Sequence, residues 1–183
     1  MGLRELIDDI LEISVIGSFS RPGYRARSAL FGWSEPTADA LVGRTVLITG
    51  PTSGLGRAAA ESLADLGARL ILVGRSESRL QAVRDALVER TGQDNYHLVV
   101  ADMSVLASVR DAVDHITAHE ERLDVLVDNA GAIYPQRRLT EDGLEATFAT
   151  MVAGPFVLID GLLPLLEASG DGRVISVVSG GMY

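Results

Sequence analysis

The chain has 183 residues, 47% of them apolar, enough to fold around one sizeable core rather than stay disordered. A formal net charge of −9 leaves no basic surplus to displace counterions from phosphates, which argues against general nucleic-acid binding. The chain has no cysteine, which excludes disulfides, zinc–thiolate centres and cysteine nucleophiles; it also has no lysine, so all 16 basic residues are arginine.

Residues 1–43 differ in pattern from residues 44–183. Leu3, Leu6, Ile7, Ile10 and Leu11 recur at helical spacing and predict a short amphipathic helix. Glu5, Asp8, Asp9 and Glu12 interrupt it, unlike a secretory signal. No uninterrupted run of about 18 apolar residues occurs, so no membrane-crossing helix is expected and a cytoplasmic location is the default. Residues 18–33 hold three arginines, no acids, and Phe19, Tyr24, Phe31 and Trp33. Cations with aromatics suit a weak contact with an anionic membrane surface or a partner. The favoured alternative is an arm packed on its own domain or on a twin subunit.

From Arg44 the pattern becomes regular. Thr45–Thr49 is a short apolar run before a glycine, hence a buried strand. A helix is expected from about Leu55, with Leu55, Ala59, Leu63 and Leu66 on its inner face and Gly67 as its stop. Leu70–Val73 reads as the second strand, Leu80, Val83 and Leu87 as the second helix, and His97–Val100 as the third strand. Ser104 is the expected cap of a third helix carrying Val105, Val109, Val113 and Ile116. Leu123–Val127 is the fourth strand, a long helix is expected from about Asp142 to Leu166, and Val174–Val178 is the fifth strand. Apolar strands alternating with helices predict a doubly wound parallel α/β sheet covered on both faces.

The sharpest motif is Thr49-Gly50-Pro-Thr-Ser53-Gly54-Leu55-Gly56, between a strand and a helix. Gly50 permits a tight turn, Gly54 lets backbone approach a pyrophosphate, and Gly56 lets the helix pack closely. Free amides and the helix dipole then favour phosphates.

The spacing Thr-Gly-x-x-x-Gly-x-Gly resembles the short-chain dehydrogenase/reductase family, and fits less well the Gly-x-x-Gly-x-x-Gly of the extended sugar-epimerase branch. Further landmarks follow in that family's order. Asp102-Met103 resembles the pair that contacts adenine. Asn129-Ala130-Gly131 resembles the turn that supports the sheet. Ile175–Ser179 resembles the segment ending in the active-site serine. The front segment and residues 139–145 are similar to the dehydrogenase/reductase member 12-like group. The resemblance covers about residues 40–183 and implies a Rossmann fold, here stopping after the fifth strand. It also implies hydride transfer between nicotinamide and a small-molecule carbonyl or alcohol.

An NAD-selective site usually carries an acid at the end of the second strand. That point here reads Val73-Gly74-Arg75-Ser76, and a guanidinium pairs with a 2′-phosphate instead. NADP is therefore the expected cofactor, ahead of NAD. Arg57 is a candidate for added charge.

By the same resemblance, a tyrosine passes the proton, and a lysine four residues later lowers the tyrosine's pKa. A serine holds the carbonyl oxygen and an asparagine supports a relay. Ser179 matches the serine. Met151 stands at the asparagine's place, and a thioether cannot relay a proton as an amide does. With no lysine, the Tyr-x-x-x-Lys pair does not exist in this chain. Tyr134-Pro-Gln-Arg-Arg138 imitates its spacing but falls in the loop after the fourth strand. His115 and His119 lack an evident third metal ligand, so no metal site is assigned. Glu120, Glu121, Asp124, Glu141 and Asp142 read as solvated charge.

Two functions remain open. One is an NADP-dependent oxidoreductase present here as a fragment, inactive by itself. The other is a non-catalytic nucleotide-binding or interaction protein of the same descent. Homo-oligomer formation or self-association is expected for either.

Overall fold

The computed structural model describes Leu6, Asp8, Leu11, residues 20–34 and residues 36–178. The chain forms two compact units, Met1–Thr37 and Ala38–Tyr183. In the first, α1 (Arg21–Phe31) starts where Ser20 accepts a hydrogen bond from the Gly23 amide, carries a proline in its first turn, and stops at Gly32, whose φ of 66° is left-handed.

The second unit is built on five parallel strands: β1 (Thr45–Thr49), β2 (Arg69–Gly74), β3 (Tyr96–Val100), β4 (Val125–Asp128) and β5 (Arg173–Ser176). Their order is β3-β2-β1-β4-β5, so the winding reverses between β1 and β4. The crossovers are α2 (Gly54–Asp65), α3 (Glu77–Thr91), α4 (Leu106–His119) and a composite element. That element is α5 (Ala146–Phe148), a π-helical turn (Ala149–Ala153) and α6 (Gly154–Ala168).

Successive strand residues point to opposite faces. Val46, Ile48, Leu70 and Leu72 pack with Ala60, Ala64, Leu80, Val83 and Leu87, forming the core under α2 and α3. Leu47, Ile71, Val73 and Leu126 pack with Val109, Ile116, Leu158 and Leu162, forming the core under α4 and α6. These side chains are almost wholly buried. The expected doubly wound sheet is thus present, with both faces covered over its central strands β1 and β2 but not over edge strand β5.

Several local expectations need correction. The inner face of α2 is Gly56, Ala60 and Ala64, not the leucine stripe, and Leu55 is 74% exposed. Small residues let this helix lie close to the sheet, while Ala59 and Leu63 pack at its margin. Helix α4 is not capped by Ser104. Asp142 accepts a hydrogen bond from the Leu106 amide at 3.1 Å, and Ser104 is turned toward Asp102. The long helix starts at Ala146 rather than Asp142, behind Glu145, which accepts the Phe148 amide at 2.9 Å. A hydrogen bond from the Thr147 backbone, followed by the one from Phe148, holds the Glu145 carboxyl below its usual pKa. Strand bounds shift by a residue or two, with β4 beginning at Val125 and β5 ending at Ser176.

Besides Asp142, two more acids read as solvated are structural. Asp124 is 2% exposed; it accepts from Arg44 at 2.7 Å, Arg122 at 2.6 Å and the Thr45 amide at 2.8 Å. Burial raises its pKa, but hydrogen bonds from Arg44, the Thr45 amide and Arg122 outweigh burial and hold it low. Its contribution to stability is present above the unfolded carboxylate pKa and is lost as pH falls through the depressed folded value. Glu120, with a side chain 8% exposed, pairs with Arg69 across the end of β2.

Ala146–Ala168, at 23 residues, is long and apolar enough to cross a membrane. In this fold it is a core helix: Leu158, Leu162, Leu165 and Leu166 are buried against α4 and the sheet. An alanine at Gly161 would place its Cβ 2.6 Å from a Val113 methyl, so the two helices touch closely. The other face is open. Phe156 is 68% exposed, Val178 71%, and no residue of edge strand β5 is buried. An uncovered apolar edge pairs readily with another chain. The chain by itself is therefore expected to self-associate at micromolar concentration, read by light scattering or sedimentation velocity. A concentration-independent monomer with a sharp thermal transition would contradict this.

Candidate nucleotide-binding site

The carboxyl ends of β1, β2, β3 and β4 open into one cleft of about 420 Å³ beside the reversal between β1 and β4. Ligands of open α/β sheets bind at such a point. The turn after β1 forms one wall. Gly50 has φ 67° and Gly54 φ 54°, both unfavourable for residues with a Cβ. The Gly50 amide donates to the Val73 carbonyl at 2.9 Å, tying the turn to β2. Gly56 acts sterically: a Cβ there would lie 2.2 Å from the Gly50 carbonyl oxygen and 2.4 Å from Asn129 Nδ2. Its expected role in close packing is therefore toward the turn and Asn129 as well as the sheet.

Thr49 and Asn129 lock this turn to β4. The wholly buried Thr49 hydroxyl accepts from the Asn129 amide at 3.0 Å and the Ala130 amide at 2.9 Å. It also makes a 3.5 Å contact with Asp128 Oδ1. Burial raises the Asp128 pKa, opposed by the Thr49 hydrogen bond. Asn129 Nδ2 donates to the Thr49 carbonyl at 3.0 Å and the Gly50 carbonyl at 3.3 Å. Thr49→Val keeps the shape but strands two amides. At about 1–3 kcal/mol per unsatisfied buried group it is expected to destabilise by about 2–4 kcal/mol, while Thr49→Ser stays within about 1 kcal/mol. Urea unfolding of both variants checks this; equal losses would mean the hydroxyl is unimportant.

The cleft brings together Gly50, Ser53, Gly54, Leu55, Gly56, Arg75, Asp102, Met103, Asn129, Ala130 and Gly131. Thr49 supports it from beneath. Ser53 precedes α2 without a side-chain capping bond, leaving that helix's first amides available for an anion. Asp102 Oδ1 accepts from the Ser104 amide at 2.8 Å and hydroxyl at 2.7 Å, which orients the carboxylate at the cleft rim. Gly131 faces Met151, whose Cε lies 3.7 Å from where a Gly131 Cβ would be. Met151 itself sits in the π-helical turn, an irregularity common at functional sites. Ser179 lies outside the described residues.

Arg57 does not join the cleft; its guanidinium pairs with Glu61 at 2.7 Å, one turn along α2. Arg79 lies at the cleft instead. It stands in the first turn of α3, one turn beyond Arg75, and lines the cleft beside Ser76. Neither Arg75 nor Arg79 has an ion-pair partner among the described residues. The i, i+4 spacing was the available signal for Arg79. Tyr134 also lines the cleft, with the Arg138 guanidinium 3.6 Å above its ring.

A doubly wound sheet with a glycine turn, open helix amides and this cleft defines a dinucleotide-binding domain. Residues 44–182 match the family model described as short chain dehydrogenase. The chain belongs to the short-chain dehydrogenase family. It is 38% identical over 164 residues to dehydrogenase/reductase SDR family member 12 of Bos taurus, covering 90% of this chain and 51% of that one. A solved short-chain dehydrogenase from Escherichia coli CFT073 in complex with NADPH superposes with a TM-score of 0.69 at 29% identity, over 79% of this chain and 62% of that one. One from Shigella flexneri 2a str. 301 in complex with NADP gives 0.68 at 29%, over 78% and 62%. The chain thus spans about half the length of the curated relative and under two thirds of these structures.

Proposed function

We propose that this chain is the NADP-binding portion of an oxidoreductase acting on a small-molecule carbonyl or alcohol. The observation that carries the choice of NADP is the end of β2. Gly74 stands where a ribose-binding acid would be, and Arg75 and Arg79 line the cleft with no ion-pair partner among the described residues. The NADPH and NADP complexes of similar structures support the same reading.

The residues fit the cofactor. Positive φ at Gly50 and Gly54, with no room for a Cβ at Gly56, brings bare backbone to the amino end of α2, where a pyrophosphate is favoured. Arg75, Arg79 and Ser76 supply donors for a 2′-phosphate. Asp102 offers a carboxylate at the rim for adenine. When bound, the cofactor supplies the hydride chemistry. The chain's own residues bind and orient it, and Ser179 is the candidate to hold the substrate oxygen.

The direct test is calorimetric titration with 2′,5′-ADP and with 5′-ADP. The 2′-phosphate is expected to strengthen binding at least about tenfold, from charge-assisted hydrogen bonds of about 1.5–3 kcal/mol each. Equal affinities would overturn the NADP assignment, and absence of both would overturn nucleotide binding.

A second reading, a nucleotide-binding protein without turnover, is favoured by Met151 at the place where the family resemblance puts a relay asparagine. Turnover by a longer form of the protein would end it.

A further inference from the structure

Helix α1 precedes the first residue that lines the nucleotide cleft by almost 20 positions and belongs to the other compact unit. Its two sides differ. Gly23 is buried, and Arg27 is drawn to Asp8, with charged atoms 2.6 Å apart. Arg21, Tyr24, Arg25 and Ser28 fall on the other side, together with Trp33 just past the helix end. Arg21 and Arg25 are exposed, one helical turn apart, and have no ion-pair partner among the described residues. Tyr24 is 54% exposed, Trp33 50% and Phe31 41%. The rings nonetheless form a cluster, with Tyr24 and Trp33 centroids 5.7 Å apart and Phe31 and Trp33 stacked at 6.2 Å.

This patch is anomalous on a chain of net charge −9. Residues 18–33 contain arginine but no acid, so the positive charge is segregated beside the aromatics. Arginine with tyrosine and tryptophan on one amphipathic face suits the headgroup layer of a bilayer. The guanidinium groups meet phosphates there and the rings enter the acyl boundary. Three rings clustered beside the arginines ask for an apolar layer beneath the phosphates, which a bilayer offers and a nucleic-acid backbone does not; a second copy, whose exposed Phe156 and β5 edge could receive the rings, is an outcome of the test.

We infer that this helix face docks the protein on anionic phospholipid surfaces, with Arg21 and Arg25 as the charge contacts and Trp33 at the water–lipid boundary. The docking is peripheral and salt-sensitive, because two charges and three rings hold a protein reversibly rather than insert it.

Trp33 is the chain's single tryptophan, so its fluorescence reports this face alone. The test titrates the full chain with vesicles of phosphatidylcholine and with an equimolar mixture of phosphatidylcholine and phosphatidylserine. The mixture is expected to shift Trp33 emission to the blue. Lipids brominated in their acyl chains should quench it, and high salt should release it. Arg21→Ala combined with Arg25→Ala is expected to weaken binding about 30-fold, at roughly fivefold per arginine. The double lysine variant should retain most binding, and both variants should bind nucleotide like the parent. Equal binding to neutral vesicles, undiminished binding of the alanine variant, or sedimentation with vesicles without a Trp33 response would overturn the inference. So would vesicle-independent self-association lost in the alanine variant, which would make a second copy the occupant.

Discussion

Mixed with NADPH and a panel of aldehydes and ketones, the 183-residue chain is expected to show no measurable oxidation of the reduced nicotinamide. The family resemblance calls for a tyrosine and a lysine acting together, and this chain contains no lysine. A phenol near pKa 10 is a poor proton exchanger at neutral pH without a cation to stabilise its anion. General acid–base assistance alone is worth about 10²- to 10⁴-fold. Loss of the lysine's hold on the ribose would add a loss of orientation. Met151, in the π-helical turn facing Gly131, offers no relay group. Tyr134 is the one phenol lining the cleft among the described residues, with Arg138 stacked on its ring. Turnover above background that disappears in Tyr134→Phe would sink the prediction and make that pair the acid.

Gly56→Ala is expected to disable nucleotide binding more severely than Gly54→Ala, although Gly54 has the less favourable backbone. A Cβ at Gly54 meets no atom within 4 Å, so its cost is that of a left-handed residue, about 1–2 kcal/mol. A Cβ at Gly56 would stand 2.2 Å from a backbone carbonyl and 2.4 Å from the Asn129 amide. Relief requires α2 to move off the turn, costing about 3 kcal/mol or more in stability. That movement also withdraws the helix amides from the phosphates, at roughly 10- to 100-fold in affinity per hydrogen bond lost. Thermal unfolding and NADPH titration of both variants check the order. A Gly56→Ala protein that binds like the parent would show that the turn does not depend on this contact.

The strands were legible because each is a short run dominated by apolar residues, a local signal that holds for buried β1 and β2 and for exposed β5 alike. The glycine turn was legible because its spacing is local. Contacts between distant segments were not. Asp124 looks like one acid among several until Arg44 and Thr45, about 80 residues away, close around it. Asp142 caps a helix that begins 36 residues earlier. The face of α2 was misread because leucines outweigh alanines in a pattern of hydrophobicity, whereas close approach to the sheet selects small side chains. Arg57 was read toward the cleft and Arg79 was not, for a similar reason. Glu61 lies within reach of Arg57 on the same helix, and only the fold shows that α3 turns Arg79 toward the cleft. In the π-helical turn, the extra backbone residue per turn leaves no mark in apolar spacing.

The most direct test is the ratio of NADPH to NADH affinity in the parent and in the Arg75→Ala, Arg79→Ala double variant, measured by fluorescence of the bound reduced nicotinamide. The parent is expected to prefer NADPH at least about tenfold. The double variant should lose roughly 100-fold or more in NADPH affinity while NADH changes by no more than about threefold, because the proposed role of these arginines is to hold the 2′-phosphate that NADH lacks. Equal affinities in the parent, or a double variant that keeps its preference for NADPH, would contradict the account.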